Sequence, residues 1–453
     1  MTDPLLDALA AAVGERDVLA DDDVRAPFES DWTGRFGGRA RAVVRPGDAA
    51  EVAAVLVACR ENRAVVVPQG GNTGMVGAGV PRGGEVVLSL VRLRELGEVD
   101  PATAQVQAGA GITLAALQTH ARAAGLDAGV DFGGRDGATV GGMVATDAGG
   151  MHALRHGTVR ARVAGLQAVL ADGSVVDRRA GLLKDNAGYD LPALFVGSEG
   201  TLGIITSVRW RLVPLLQARV AALVPLPSLA AAAELLGRVR PRLPSLHAAE
   251  FFIDDGLQLV LDHFGLAAPM RQRAPVYVLH ECAAAVDPTT ELAEALQAAG
   301  VDDAAVADES PERARLWRLR VGHTEALNAA GIPHKMDVGV PLTRLAEFGE
   351  RTLAEVERVA PGSRVILFGH LGDGNVHVNV LGPAPDDDAA DEAVLRLAAA
   401  CGGTISAEHG VGVAKARWLA LTRSPADLRA MTKIKRALDP EGLLYPGAVL
   451  PAS

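Results

Sequence analysis

Three glycine-rich loops between residues 68 and 205 constrain this chain more than any other feature. They are Pro68-Gln-Gly-Gly-Asn-Thr-Gly74, extended by Gly77 and Gly79; Gly141-Gly-Met-Val-Ala-Thr-Asp-Ala-Gly-Gly150; and Gly197-Ser-Glu-Gly-Thr-Leu-Gly-Ile-Ile205, preceded by Lys184-Asp-Asn-Ala-Gly-Tyr-Asp190. Glycine supplies 51 of the 453 residues, about 11 % against a usual level of roughly 7 %. Successive glycines allow positive φ and expose several backbone N–H groups at once, a geometry that can cradle a pyrophosphate without any lysine. One such loop alone reads equally well as a tight turn. Three in one stretch, each beside an apolar strand, fit a long, flat, two-part ligand, with phosphates on the backbone donors and a ring system on Gly, Ala, Val and Ile surfaces.

Other nucleotide-binding patterns fail. No G-x-x-x-x-G-K-[ST] occurs, and Gly109-Ala-Gly111-Ile-Thr-Leu114 lacks the third glycine of the dinucleotide fingerprint, so a nicotinamide Rossmann domain is poorly supported. The formal net charge of −11 disfavours nucleic acid as a partner, and an anionic substrate needs a local cationic pocket. The three cysteines, Cys59, Cys282 and Cys401, lie far apart, which supports neither a disulfide framework nor a cysteine-held iron–sulfur cluster and suits a reducing cytoplasm. No apolar run approaches the ~18 residues of a membrane span, and the acidic start MTDPLLDALAAAVGERD is unlike a secretory signal.

An amphipathic helix carrying Leu5, Leu6, Leu9 and Val13 is expected first. AVVRP, EVAAVLVACRENR and AVVVPQGG then read as β-α-β, and VAGLQAVLADGSVVD as a hairpin turning at Asp172-Gly173. After Val213-Pro214 the glycine clusters stop and Ala/Leu helices alternate with strands, including a long helix over 311–330; this predicts an α+β layer with helices on one sheet face. Trp317 and Trp418 read as packing residues, and DDDAADEA as a solvated helix start.

A second constellation lies near the C-terminus. In His370-Leu-Gly-Asp-Gly-Asn-Val-His377 a turn-forming pentapeptide separates two histidines at strand ends, Asn379 shares the strand face of His377, and Ser406-Ala-Glu408-His409-Gly-Val-Gly412 adds a carboxylate and an imidazole. Two histidines and one glutamate suffice for a catalytic Zn²⁺ with open positions, and Mn²⁺ or Fe²⁺ also suit the set. Arg320 and Thr324 are spaced i,i+4 on the expected helix, and Lys335 begins the next strand.

The loops PQGGNTG, GGMVATDAGG and KDNAGYDL…GSEGTLGIIT resemble the FAD-binding domain of the vanillyl-alcohol oxidase superfamily. Together with GHLGDGNVHVN and SAEHGVG, they resemble its branch of D-2-hydroxyglutarate, D-lactate and glycolate dehydrogenases, from about residue 30 onward. The resemblance implies an α+β fold: a PCMH-type FAD domain of two α+β subdomains (1–217), a substrate- and metal-binding cap with an antiparallel sheet (218–425), and a C-terminal segment (426–453) returning to the FAD domain. It implies a dissociable FAD, because relatives with covalent flavin carry His at the position of Asn72. Gly70, Gly71, Asn72, Thr73 and Gly74 would meet the pyrophosphate, flanked by Pro68 and Gly79. Thr139, Gly142, Thr146, Gly150 and Ile205 would line adenine, ribose or ring, with Glu199 and Gly203 from the third loop. Asp147 and Tyr445 depart from the family, which has Asn and an Asn-Pro-Gly tail there.

The same resemblance implies His370, His377 and Glu408 as ligands of Zn²⁺ or Mn²⁺ and His409 as the base. Arg320, Thr324 and Lys335, with Asn379, would be substrate-binding, which favours a dicarboxylate. The expected reaction is FAD- and metal-dependent oxidation of a D-2-hydroxy acid, D-2-hydroxyglutarate first, with hydride transfer to flavin N5. D-lactate, glycolate and D-malate remain alternatives, as does a metal-dependent hydrolase with structural glycine loops. The expected partners are the hydroxy acid and an acceptor such as an electron-transferring flavoprotein or a quinone, with a homodimer as the default assembly.

Overall fold

The computed structural model describes residues 3–451, which group into two units. The first comprises 3–149, Thr158–Leu215 and 408–451. The second comprises Gly150–Gly157 and Leu216–Ala407. Two boundaries differ from expectation. Residues 408–425 belong with the glycine loops and not with the cap, because Glu199 and Val76 bind their backbone. Residues 150–157 leave the second glycine loop to join the other unit, where Arg155 donates to the carbonyls of Ser245 and Ala283.

In the first unit, α1 (Pro4–Val13) buries Leu5, Leu9 and Val13 at the expected spacing. The β-α-β expectation holds: β2 (Ala42–Val44), α2 (Ala49–Glu61, capped by Asp48) and β3 (Val66–Gln69). With β1 (Val18–Leu19) and β4 (Val86–Ser89) they make a four-stranded sheet in the order β1-β2-β4-β3, whose last three strands are parallel. A second, antiparallel sheet has the order β5-β8-β6-β7, from β5 (Gln105–Gly109), β6 (Val163–Val169), β7 (Val175–Asp177) and β8 (Ile204–Arg211). Gly173, at φ +87°, sits in the β6-β7 turn. Helices α3 (Leu114–Ala123) and α4 (Val140–Thr146) pack on this sheet around the fully buried Trp210, whose indole N–H donates to the Ala128 carbonyl at 2.9 Å.

The second unit is a seven-stranded antiparallel sheet in the order β12-β9-β11-β10-β14-β15-β13. Its strands are β9 (Ala218–Leu226), β10 (Leu246–Ile253), β11 (Val276–Ala284), β12 (Ala305–Ala307), β13 (His334–Gly339), β14 (Arg364–His370) and β15 (Asn375–Leu381). Its helices are α5 (Leu229–Val239), α6 (Asp254–Phe264), α7 (Thr289–Ala298), α8 (Ser310–Val321), α9 (His323–Ala330), α10 (Leu345–Val359) and α11 (Ala389–Ala400), and α12 (Pro425–Leu438) follows in the first unit.

Helices cover both sheet faces, not one. Leu257 of α6, Leu316 and Leu319 of α8 and Leu327 of α9 pack with Ile366 and Phe368 of β14. On the opposite face, Gly349 of α10 admits Leu229 of α5 beside Leu367. Residues 366 and 367 point to opposite sides of a strand, so the two sets of helices must lie on opposite faces. The expected helix over 311–330 is broken at Gly322. There the imidazole of His323 donates Nδ1–H to the Arg320 carbonyl (3.0 Å), the acceptor a continuous helix would reserve for the Thr324 N–H. Arg320 and Thr324 therefore belong to different helices. Asp391, in the run expected to be solvated, is buried and bonded to His334.

Candidate active site

The three glycine loops meet within the first unit. A Cβ on Gly70 would fall 2.4 Å from Thr139 Oγ1, and one on Gly71 1.7 Å from the Gly137 carbonyl, so only glycine permits the first loop to rest on the second. The third loop closes on the same strand end, where Gly200 lies against the Pro68 ring. Thr139 caps α4 through the Gly142 N–H, and Thr146 donates to the Gly142 carbonyl at 3.0 Å. Asn72 takes φ +53° and donates to the Ser30 carbonyl (2.8 Å), and the Gly79 carbonyl accepts from Gln69 (2.7 Å). Ile205 is buried in β8 just after Gly203, which lies against Phe195. Gly150 alone among the expected flavin residues belongs to the second unit.

This arrangement fits a pyrophosphate. Among the described residues, the N–H groups of Gly70 through Gly74 donate no hydrogen bond, and a Cβ on Gly74 would meet no other atom within 4 Å. Tyr445, one of the two departures, is fully buried and donates to the carbonyls of Gly77 (2.9 Å) and Val80 (2.5 Å), fastening the first loop from below. Tyr445→Phe leaves both buried acceptors without that donor and is expected to cost about 1–3 kcal/mol, read as a lower melting temperature. An unchanged melting curve would remove the clamp from the account. Asp147, the other departure, adopts φ +52° and accepts from the Arg160 backbone and guanidinium.

Glu408 and His409 lie on these loops. The Glu408 carboxylate stands against Gly149, since a Cβ there would come 2.7 Å from Oε2, and His409 Nε2 is 3.7 Å from Glu408 Oε1. The turn that carries them is held by Glu199, whose oxygens accept from Val411 N–H (2.7 Å) and Gly412 N–H (2.8 Å). Burial pushes the Glu199 carboxyl above its ordinary range, against the pull of those two N–H groups and of Lys415. Glu199, expected near the cofactor, thus spends both oxygens on positioning the Glu408–His409 turn. The Val413 N–H also donates to the Val76 carbonyl (3.0 Å) of the first loop.

In the second unit, register gathers the remaining candidates on one sheet face. Directly opposed pairs are Lys335 with Asn379, Asp337 with His377, His377 with Phe368, and Glu250 with His370. His370 ends β14 as expected, but His377 is the third residue of β15 rather than its first. The two imidazoles stand edge to face with centroids 5.3 Å apart. His370 Nδ1–H donates to Glu250 Oε1 (2.7 Å), which fixes the tautomer with the lone pair on Nε2. His377 Nδ1 lies 3.5 Å from Asp337 Oδ1. Asp337 also accepts from Asn375 Nδ2 (2.6 Å) and from the Ala407 N–H (3.0 Å), the residue before Glu408. A histidine pair backed by carboxylates is the donor chemistry a divalent ion requires.

Arg320 is no surface charge. It is 6 % exposed, its Nε lies 2.9 Å from Glu250 Oε2, and its guanidinium covers the Phe368 ring at 4.8 Å. The Nε–H does not point along that line, so the contact is ionic rather than a hydrogen bond. Glu250 thus bridges Arg320 and His370 from inside the apolar run AAEFF, where nothing local marks it as functional. Lys335 is half-buried and Thr324 partly exposed. Burial lowers the Lys335 ammonium to about 8. Trp317, expected only to pack, also donates to Glu281.

Comparison with known proteins extends this picture. Residues 215–449 match the model described as FAD linked oxidases, C-terminal domain, and residues 40–178 match FAD binding domain. A D-2-hydroxyglutarate dehydrogenase of Xanthomonas citri pv. viticola is 37 % identical over 99 % of this chain and 97 % of its own length. The mitochondrial D-2-hydroxyglutarate dehydrogenase of Bos taurus is 36 % identical over 96 % of this chain and 81 % of its own. Among solved structures, 4-ethylphenol oxidase from Gulosibacter chungangensis shares the fold, with TM-score 0.76, 18 % identity and coverage of 99 % and 97 %. The glycine cradle, the two matched domains and the full-length relatives agree: the chain is an FAD-linked oxidoreductase and belongs to the FAD-linked oxidase family.

Proposed function

We propose that the chain oxidises a D-2-hydroxy acid, with D-2-hydroxyglutarate the preferred substrate, to the 2-oxo acid. One observation carries this reading: the Glu408–His409 turn is seated on the glycine loops, held there by Glu199 and Gly149. The name carried by the relatives above supports the substrate class. Family membership displaces the metal-only hydrolase.

FAD, held without a covalent bond on the loops of Gly70–Gly74, supplies the two-electron acceptor. A divalent ion, Zn²⁺ or Mn²⁺, held by His370, His377 and Glu408, would supply Lewis acidity toward the 2-hydroxyl group. His409 takes the proton from that hydroxyl oxygen onto an imidazole nitrogen. Arg320 and Lys335 hold the substrate carboxylates, Arg320 already aimed by Glu250, while Thr324 and Asn379 supply neutral donors. Glu250 and Asp337 orient the two imidazoles and keep their ring nitrogens from turning away.

Lys335 separates a dicarboxylate from lactate. With its ammonium brought down to about 8, KM for D-2-hydroxyglutarate should rise as pH climbs above 8, because the free enzyme loses that positive charge. KM for D-lactate should stay level over the same range. Lys335→Ala should raise the dicarboxylate KM by roughly 10–100-fold, the worth of a charge-assisted hydrogen bond, and abolish the alkaline limb. Equal losses on both substrates would defeat the dicarboxylate assignment.

We place the chain in a reducing compartment such as the cytoplasm, consistent with three buried free cysteines, two of which burial raises to about 12. The bovine relative is mitochondrial by name. No helix among the described residues is long and apolar enough to cross a membrane. Electrons would leave FAD for a second protein or a quinone, an electron-transferring flavoprotein being the natural candidate, and a homodimer is the default assembly.

A further inference from the structure

A second cluster of metal-ligand side chains lies wholly within the second unit. His152, His247 and Glu281 are 7 %, 3 % and 4 % exposed, and a ligand atom from each lies within 4.8 Å of the others. His152 Nε2 is 3.9 Å from Glu281 Oε1, and the rings of His152 and His247 are 4.1 Å apart between centroids. Two ligands on one tetrahedral Zn²⁺ sit about 3.3 Å apart, given bonds near 2.0–2.1 Å, so a pair now within 4.8 Å would close by at most about 1.5 Å, shared between two side chains. Among the described residues neither nitrogen of His247 has a hydrogen-bond partner, which is costly for a buried imidazole unless something else takes its lone pair.

From this geometry we propose a second divalent-metal site, of the two-histidine, one-carboxylate kind and suited to Zn²⁺, formed by His152, His247 and Glu281. Its surroundings resemble those of a metal carboxylate. Glu281 Oε2 accepts from the Trp317 indole (2.6 Å) and Oε1 from Arg219 (3.1 Å), which fix the carboxylate while leaving lone pairs on Oε1. Burial and the neighbouring His152, Arg219, His156 and Arg155 hold His247 far below its ordinary range. Arg219 and Arg155 oppose a dication, but both are committed: Arg219 to Glu281 and the Leu216 carbonyl, Arg155 to two strand-end carbonyls. His156 stands edge-on to His247, 5.2 Å away between ring centroids.

The role is structural. The ion would tie the segment Gly150–Gly157, which carries His152, to β10 and β11, which carry His247 and Glu281.

Full-length protein stripped of metal, with FAD retained, is titrated with Zn²⁺ alone and bound metal is counted after gel filtration. The wild type should take two equivalents, His247→Ala one and Glu408→Gln one. Glu281→Gln, nearly isosteric, should also take one, which guards against a His247→Ala chain that fails to fold. Two equivalents retained in both His247→Ala and Glu281→Gln overturn the proposal. A single wild-type equivalent, lost in Glu408→Gln and kept in His247→Ala, overturns it too and leaves the active-site metal standing. A single equivalent with the opposite pattern supports this site and removes the other.

Discussion

His409→Ala is expected to lower kcat for D-2-hydroxyglutarate by two to four orders of magnitude, the usual worth of a positioned general base, while FAD content and melting temperature stay near the wild type. The side chain is partly exposed on a turn held through Glu199 and the Val411 and Gly412 N–H groups. The loss should be in the chemical step. Single-turnover reduction of the flavin under anaerobic conditions should slow by the same factor, and raising pH should recover part of the rate by ionising the hydroxyl without help. A variant that reduces its flavin at the wild-type rate would take the base away from His409. A variant that loses FAD would instead assign His409 to the cofactor cradle.

Arg320→Leu is expected to cost about 3–5 kcal/mol of stability in addition to substrate binding. It strands the Glu250 carboxylate, 1 % exposed, beside His370 in an apolar setting. Adding Glu250→Gln removes the buried charge. The double variant should regain much of the lost stability, a coupling readable from denaturant midpoints, but should not regain affinity for the dicarboxylate. If Arg320→Leu melts like the wild type, Glu250 is not carrying an uncompensated charge and the bridge between Arg320 and His370 fails. If the double variant also recovers KM, the arginine does not touch substrate.

Much of the cofactor half could be read in the chain itself, because its determinants are local. Glycine pairs, the β-α-β order at 42–69 and the Asp172-Gly173 turn depend on near neighbours, and each falls where residue type requires it. The substrate half depends on partners that strand register brings from far away. Glu250 meets His370 across 120 residues, and its surroundings AAEFF read only as buried strand. The break at Gly322 follows from one imidazole capturing one carbonyl, a competition that helix periodicity cannot register. Helix α6 likewise escaped notice, since DDGLQLVLDHF follows a strand without a proline or glycine stop between them. The return of 408–425 to the glycine loops depends on the Glu199 carboxylate, placed two hundred residues earlier by an αL turn at φ +51°.

A D-2-hydroxy acid is expected to deliver two electrons to FAD on this chain, with a metal assisting the loss of its hydroxyl proton. Anaerobic titration of the purified protein with D- and L-2-hydroxyglutarate, followed by flavin absorbance before and after chelation, tests it most directly. Stoichiometric bleaching by the D isomer, absent with the L isomer, lost on chelation and restored by Zn²⁺ or Mn²⁺, is the expected result. A protein that holds FAD yet bleaches with neither isomer, or bleaches equally well without metal, would contradict it.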